Sequence, residues 1–468
     1  MRNKAICKGN GEILPKSILI GNGFDINFGG PAYSNMFIIK RIIFNALSGK
    51  YDALFDNQIP GKNIAELFSG LARWTNKIVE GKYDYAIPHT EEKTLEDFKN
   101  RYKDGVQYYY DVGMEDFFFI LKVFLAAQEM LYLWNTAKQG FERMILDAIY
   151  NDGDIQKLKD SMNKDVRKFI RSFETVFTLN YDNNLDALAD QKVIHLHGDF
   201  LTPANSEDIH TVQGYLRARD NNQVIAEGFE HCFCNALLDF SGESKYCVAK
   251  AFEDGESVLQ KLESEYLDTS RLPYPANEWI AIHRKHPELK FASQYGFSTL
   301  IKISGELHIL GMSPNNDSHI FRMIEQSKVK KVVFYYHGSQ PVLPLSKEVD
   351  YQDVNTLWNS LRSRVPNFNC NYPMPSDNEL DKLIGAFNTL SGDPISKEDI
   401  IKNANSIPTY KVEQLCKKVT ESLSTFANAS DEETQTKERW AISRIALRYG
   451  VQPSALYLHY VRTVNNKT

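Results

Sequence analysis

The chain has few cysteines and no long hydrophobic run, and both absences limit what it can be. Only six of its 468 residues are cysteine, and no two have the C-x-x-C spacing of a zinc site. No stretch reaches the ~18 consecutive apolar residues of a membrane-spanning helix, and the first residues form no apolar signal segment. We therefore expect a cytoplasmic protein with no disulfide framework and no membrane contact.

The chain also lacks a surplus of charge. Its formal net charge is −6 and its isoelectric point is about 6.0, so we expect no direct binding to nucleic acid. The phosphate-binding pattern G-x-x-x-x-G-K-[ST] is absent, which excludes a P-loop ATPase. The dense cluster His231-Cys232-Phe233-Cys234 has no second ligand pair at zinc spacing. We interpret it as a buried helical stretch and expect no metal.

What is present is an alternation of short apolar runs with longer helical patterns. Apolar runs at 16–20, 175–179, 192–196 and 307–310 each end at glycine, asparagine or histidine, and a last run covers 331–336. This alternation predicts a doubly wound, mostly parallel, Rossmann-like α/β sheet. Ligands of such folds lie beyond the carboxyl ends of the strands.

Long helical segments surround these strands. We predict a core domain over 1–365 with helical insertions at about 60–172 and 206–287, the first interrupted by a tyrosine-rich loop at 82–110. Helices are also expected at about 34–47 and 319–326. The remainder, 366–468, is predicted to be a helical module for assembly or regulation.

The first two strand ends carry residues suited to binding a nucleotide. Gly21 and Gly23 follow the first strand and allow main-chain N–H groups to approach a phosphate, although a structural turn explains them equally well. Asn180 and Asp182 follow the second strand and project to the same side in extended geometry. They can converge on a carboxamide or a ribose, or simply form an Asx turn.

The next two strand ends add a histidine and a hydroxyl. His197 precedes a glycine at a strand tip and can act as a general base, or it can be a structural hydrogen-bonding residue, as we expect for His195. Gly311 and Ser313 precede a helix in a loop that suits ribose or phosphate, with Asp317 as the candidate N-cap. The alternative for this loop is helix capping alone.

Taken in this order, the four segments resemble the sirtuin-like NAD-binding superfamily. Its members carry a G-A-G-x-S loop with a following G-x-P, then T-x-N-x-D, H-G and G-x-S. The motifs G-N-G-F-D, L-N-Y-D and H-L-H-G are also similar to the bacterial abortive-infection family AbiH. The matching residues are Gly21, Gly23, Gly29, Pro31, Thr178, Asn180, Asp182, His197, Gly198, Gly311 and Ser313.

The resemblance implies that NAD is bound as a substrate and that its nicotinamide–ribose bond is cleaved. It gives Asn180 and His197 the catalytic roles, with Asn180 orienting the ribose and the attacking water and His197 accepting a proton. It also implies a set of NAD-binding residues, namely Gly21, Asn22, Gly23, Asp25, Asp182, Gly311 and Ser313. Asn22 and Asp25 replace the small residue and the serine of the family's first loop, and the role of Asp25 stays open because a carboxylate repels a pyrophosphate.

A second departure narrows the expected chemistry. The four-cysteine zinc module that frames the acyl-lysine cleft of deacetylase sirtuins has no counterpart here. Hydrolysis of NAD in antiphage abortive infection is therefore the preferred hypothesis, with a homo-oligomer or a partner such as a HerA-like ATPase providing control. The alternatives are ADP-ribosyl transfer or deacylation, and a non-enzymatic subunit that senses NAD or ADP-ribose.

Overall fold

The computed structural model of the protein describes most of the chain. The described residues are 14–55, 58–87, 92–114, 116–202, 216–217, 227–236, 295–314, 317–362 and 409–465, together with a few isolated positions between 264 and 291.

The core is a six-stranded sheet in which every neighbouring pair is parallel. Its strand order is β3-β2-β1-β6-β7-β8. The strands are β1 (Lys16–Ile20), β2 (Thr175–Thr178), β3 (Val193–His195), β6 (Ser304–Leu310), β7 (Lys328–Tyr336) and β8 (Glu348–Asp353). The predicted parallel α/β fold is confirmed.

Helices cover both faces of this sheet, and the apolar side chains of β1 show why. Ile18 and Ile20 are fully buried in the larger hydrophobic core, whereas Leu19 between them is buried in a second core on the opposite face. Adjacent side chains of a strand point to opposite faces, so a strand that is apolar throughout requires cover on both.

Sixteen helices are described, and most precede β3 or follow residue 408. They are α1 (Gly23–Gly29), α2 (Asn35–Leu47), α3 (Gly61–Ser69), α4 (Leu71–Val79), α5 (Glu92–Arg101), α6 (Asp116–Ala127), α7 (Trp134–Tyr150), α8 (Lys164–Ile170), α9 (Asn184–Leu188), α10 (Phe297–Lys302), α11 (Ser318–Gln326), α12 (Val354–Ser360), α13 (Thr409–Lys418), α14 (Thr420–Asn428), α15 (Glu432–Arg448) and α16 (Pro453–Asn465). None of the helices in the described part of the chain is long and apolar enough to cross a membrane.

Three local predictions differ from the structure. The loop expected at 82–110 contains helix α5, whose polar composition hid two buried residues, Leu95 and Phe98. Helix α1 was missed because glycines stand at both of its ends, and β8 because an exposed edge strand has a polar sequence. Most of the insertion predicted at 206–287 lies outside the described residues. Its short strand β4 (Leu216–Arg217) pairs antiparallel with β5 (Lys290–Phe291).

The C-terminal helices have a hydrophobic core of their own and also pack against the sheet domain. Trp440 on α15 lies 4.8 Å from the ring of Phe44 on α2. Gly450 has a φ of +68°, and a Cβ there would lie 2.2 Å from the backbone nitrogen of Ala32. The module predicted at 366–468 therefore contacts the turn that follows α1, while its predicted boundary lies outside the described residues.

Candidate functional site

The sheet order places the four motif segments side by side. Strands β3, β2, β1 and β6 are consecutive neighbours, and all four run in the same direction. Their carboxyl ends bring His197, Asn180, Gly21 and Gly311 to one edge of the sheet. The chain reverses its direction of winding between β1 and β6, which is where open α/β sheets form their ligand crevice.

The two glycine-rich loops at this edge pack directly against each other. Gly21 N–H donates to the Leu310 carbonyl at 2.9 Å, and Gly23 N–H donates to the Gly311 carbonyl at 2.8 Å. A Cβ on Gly23 would lie 2.7 Å from Gly311 Cα, and Gly311 itself has a φ of +73°. Each of these glycines is therefore required by the close approach of two backbones.

This packing gives the glycines a structural role that the sequence did not reveal. The N–H groups of Gly21 and Gly23 already bind carbonyl groups within the fold, and binding of a pyrophosphate by them stays a prediction. Asn22 is exposed and donates through Nδ2 to the Tyr33 carbonyl at 3.0 Å. Ser313 is exposed beyond β6.

Three of the predicted polar residues lie together behind these loops. The Asn180 amide donates through Nδ2 to Asp25 Oδ2 at 2.9 Å, so that the ends of β1 and β2 are joined through side chains. Asp182 accepts hydrogen bonds at Oδ1 from the backbone and side-chain nitrogens of Asn184, the former at 2.9 Å. All three predicted residues are buried, with Asp25 and Asp182 each 2% exposed. The Asx-type turn and the convergent polar cluster, which the sequence left as alternatives, occur together.

Asp25 faces a second carboxylate, not an open phosphate pocket. Burial raises the pKa of Asp25 well above its ordinary value, and repulsion by the nearby Asp182 carboxylate raises it further. Asp25 therefore holds its proton more tightly in the folded protein than in the unfolded chain. Within the described part of the chain, Asp25 Oδ1 and Asp182 Oδ2 are buried without a hydrogen-bond partner. A carboxyl group that keeps its proton can donate a hydrogen bond, whereas an ionised one can only accept.

The two histidines at the end of β3 have different surroundings. His195 contacts the Asn180 carbonyl through Nδ1 at 3.0 Å and the Asp186 carboxylate through Nε2 at 2.9 Å. Burial lowers the pKa of His195, but the hydrogen bond and charge of Asp186 outweigh this and raise it overall. His195 is therefore the structural hydrogen-bonding residue that we expected.

His197 instead contacts a histidine that the motifs did not indicate. Its Nε2 lies 2.9 Å from Nε2 of His319 in the first turn of α11, and both imidazoles are buried. The ring planes differ by 22° and the ring centroids are 5.1 Å apart, so the rings meet end to end through these nitrogens. The two histidines are separated by 122 residues, and no local pattern could have indicated the contact.

Asp317 adds a carboxylate to this histidine pair. It occupies the N-cap position of α11, as predicted, although its side chain makes no capping hydrogen bond. Asp317, His197 and His319 have ligand-type atoms within 4.8 Å of one another. The end-to-end contact of the two imidazoles at 2.9 Å has the geometry of an N–H···N hydrogen bond, and we assign it as one.

The cysteine-rich stretch lies in a short turn that contacts α7. Cys232 donates through Sγ to the Arg143 carbonyl at 3.1 Å, and both Cys232 and Cys234 are buried. Burial raises the pKa of the Cys232 thiol and raises that of Cys234 to about 12. Both groups are therefore protonated at neutral pH, and the thiolate form that binds metals is disfavoured. The structure places this stretch in a 3-10 turn and not in a helix.

The chain matches no protein-family model, no curated protein and no solved structure.

Proposed function

We propose that the protein is an NAD⁺ glycohydrolase that acts as an effector of antiphage abortive infection. The observation that supports this most strongly is the convergence of Asn180, Asp25 and Asp182 behind the glycine loops, at the carboxyl edge that also carries His197. Such a cluster offers donors and acceptors for a ribose and a carboxamide, and a nearby imidazole offers a base for water.

In the proposed reaction, water attacks the ribose carbon that bears nicotinamide. The new bond joins the water oxygen to this carbon, and nicotinamide leaves with the electron pair of the broken C–N bond. Asn180 orients the ribose and the water, and His197 accepts the proton that the water loses. Gly21, Asn22, Gly23, Gly311 and Ser313 form the side of the crevice that holds the pyrophosphate and the adenosine, with Asp25 and Asp182 toward the nicotinamide ribose.

The burial of the site supports a regulated enzyme. Asn180 is 7% exposed and His197 is 3% exposed, so substrate reaches them only when neighbouring segments move. An NAD-consuming effector has to be inactive in a healthy cell. The helical insertions and the C-terminal helices are the parts that we assign to assembly and to docking of a partner, for which the resemblance suggests a HerA-like ATPase.

The decisive experiment measures NAD cleavage directly. The protein is incubated with NAD, alone and together with the product of its neighbouring gene, and nicotinamide and ADP-ribose are quantified. The variants Asn180→Ala and His197→Ala are each expected to lower the rate by about 100-fold or more. Asn76→Ala is the matched control. It also removes an asparagine amide that makes hydrogen bonds, in this case with the backbone of Val106 in the helical insertion.

Three outcomes contradict the proposal in different ways. NAD depletion that persists in both site variants shows that the site is not catalytic. Label from NAD that appears on an acceptor protein, with no free ADP-ribose, indicates transfer. Tight NAD binding without turnover in the presence of the partner indicates a sensing subunit.

A further inference from the structure

His195 lies between two groups that can only accept hydrogen bonds. Its Nδ1 is 3.0 Å from the Asn180 carbonyl oxygen, and its Nε2 is 2.9 Å from Oδ2 of Asp186. A carbonyl oxygen has no proton to donate, and neither has an ionised carboxylate, so both ring nitrogens have to be donors. A neutral imidazole has a single N–H group and would turn a lone pair toward one of the two oxygens. The two contacts therefore select the doubly protonated, positively charged ring.

His308 shows what a different pair of neighbours does to a histidine of this protein. Its Nε2 also meets a carboxylate, that of Glu306 at 2.7 Å, but its Nδ1 lies 2.9 Å from the hydroxyl of Tyr335. A hydroxyl group donates as well as accepts, so a neutral His308 satisfies both of its contacts. Burial is the largest influence on His308, and its pKa is lowered overall.

The charged groups that act on His195 come from two segments. Burial lowers the pKa of His195, but it is outweighed by the hydrogen bond and charge of Asp186 on α9, by the charge of Asp199 after β3 and by the Asn180 carbonyl. The pKa of His195 is therefore raised above 6.5. Folding thus favours the protonated ring, so that both hydrogen bonds are present below pH 6.5 and one is lost as the pH rises through the folded pKa.

The loop that His195 holds is the one that carries Asn180. The Asn180 backbone N–H donates to Oγ1 of Thr178 at 3.0 Å, and its side-chain Nδ2 donates to Oδ2 of Asp25 at 2.9 Å. His195 adds a donor to the Asn180 carbonyl, while its other nitrogen reaches Asp186 at the far side of the loop between β2 and α9. Loss of one ring proton therefore releases one end of this loop.

We propose that His195 is the positioning residue of Asn180, and that it acts as an imidazolium that ties the Asn180 carbonyl to the Asp186 carboxylate. Its consequence for kcat rests on the proposed NAD hydrolysis, whereas the charge of the ring is independent of it. The pH at which His195 loses its proton then sets an upper limit to the pH range in which Asn180 is held in place.

The first experiment measures the charge of His195 without reference to activity. The protein has 11 histidines, which are labelled with ¹⁵N, and the His195 signals are identified by their loss in His195→Phe. At pH 6.5, where an unperturbed histidine is half protonated, we expect His195 to be mostly doubly protonated and His308 to be mostly neutral. Asp186→Asn should shift the His195 titration midpoint to lower pH. Asp199→Asn is the matched control, which removes a nearby charge but neither hydrogen bond, and it should shift the midpoint less.

The second experiment follows kcat for NAD cleavage as a function of pH. The wild-type kcat should fall as the pH rises through the midpoint measured for His195. His195→Phe removes both hydrogen bonds and should lower kcat by about 10-fold or more at pH 6.5, with KM changed less than about threefold. In Asp186→Asn the fall at high pH should disappear, because the asparagine amide can donate to the lone pair of a neutral ring. Asp199→Asn should keep the wild-type fall.

Several results would overturn the proposal. A His195 ring that is mostly neutral at pH 6.5 would exclude the imidazolium. A folded His195→Phe variant with unchanged kcat, or the same fall at high pH in Asp186→Asn as in the wild-type protein, would exclude the positioning role. If the wild-type protein does not cleave NAD, the proposed function fails, while the ¹⁵N spectra still decide whether His195 ties the two ends of the loop together.

Discussion

Replacing Gly311 with alanine tests the packing of the two glycine loops. The added Cβ would lie 2.6 Å from the Phe24 nitrogen and 2.9 Å from the Gly21 carbonyl oxygen, on a residue whose φ is +73°. The left-handed backbone costs an L-residue about 1–2 kcal/mol, and forced overpacking costs about 1–3 kcal/mol more. We therefore expect a loss of roughly 2–5 kcal/mol in the free energy of unfolding, a large share of the ~5–15 kcal/mol of a typical domain.

A second glycine allows the strain and the contact to be measured separately. Gly338 has almost the same φ, +75°, but nothing lies within 4 Å of the position of its Cβ. Gly338→Ala should therefore lose only the backbone part, about 1–2 kcal/mol. Urea unfolding of both variants gives the difference, which we expect to exceed about 1 kcal/mol. Equal losses would refute the conclusion that the loops at Gly21 and Gly311 are tightly packed.

Three further perturbations test the electrostatics of the fold. Asp25→Asn should stabilise the protein at pH 7, by about 1.4 kcal/mol for each unit by which folding raises the pKa of Asp25. The wild-type protein binds the proton of the Asp25 carboxyl group more tightly when it is folded, so its stability falls as the pH rises from 3.8 toward the raised pKa. The difference in free energy of unfolding between the variant and the wild-type protein should therefore widen over that range. Asp147→Asn should lower the free energy of unfolding by about 2–4 kcal/mol at pH 7. The reason is that this buried carboxylate accepts hydrogen bonds from three side chains, one of them a lysine. Folding lowers the pKa of Asp147, so the stability that it contributes is present above its ordinary value of 3.8 and is lost as the pH falls through the lower folded value. Arg448→Met removes the 2.5 Å hydrogen bond from Arg448 to Asp154 and should make the C-terminal helices more sensitive to limited proteolysis. The free energy of unfolding should fall by only about 0.5–1.5 kcal/mol.

Each of these predictions has a result that contradicts it. A gain for Asp25→Asn that does not change with pH would show that folding does not raise the pKa of Asp25. A cost for Asp147→Asn that does not shrink as the pH falls below 3.8 would mean that the charge of this residue is irrelevant. For Arg448, the control is Lys62→Met, which removes an exposed pair with Glu66 at 3.9 Å. Equal proteolysis of both variants would argue against docking through Arg448.

Most of the sheet could be predicted from the sequence because its central strands contain consecutive apolar residues. The run Ile18–Ile20 is buried on both faces, which is typical of a central parallel strand. The edge strand β8 has no such run, since its side chains are partly or fully exposed and carry no apolar pattern. Helix α5 was hidden for the same reason, as it buries only a narrow stripe.

The fold class follows from the sequence alone, and so does the edge of the sheet at which the polar residues gather, because parallel strands place their carboxyl ends together. The sequence could not determine what each residue faces there. Only the tertiary structure showed that Gly21 and Gly23 pack on Gly311, that burial beside Asp182 raises the pKa of Asp25, and that His197 contacts His319. These contacts join segments more than 100 residues apart, and they depend on the sheet order, which no local pattern encodes.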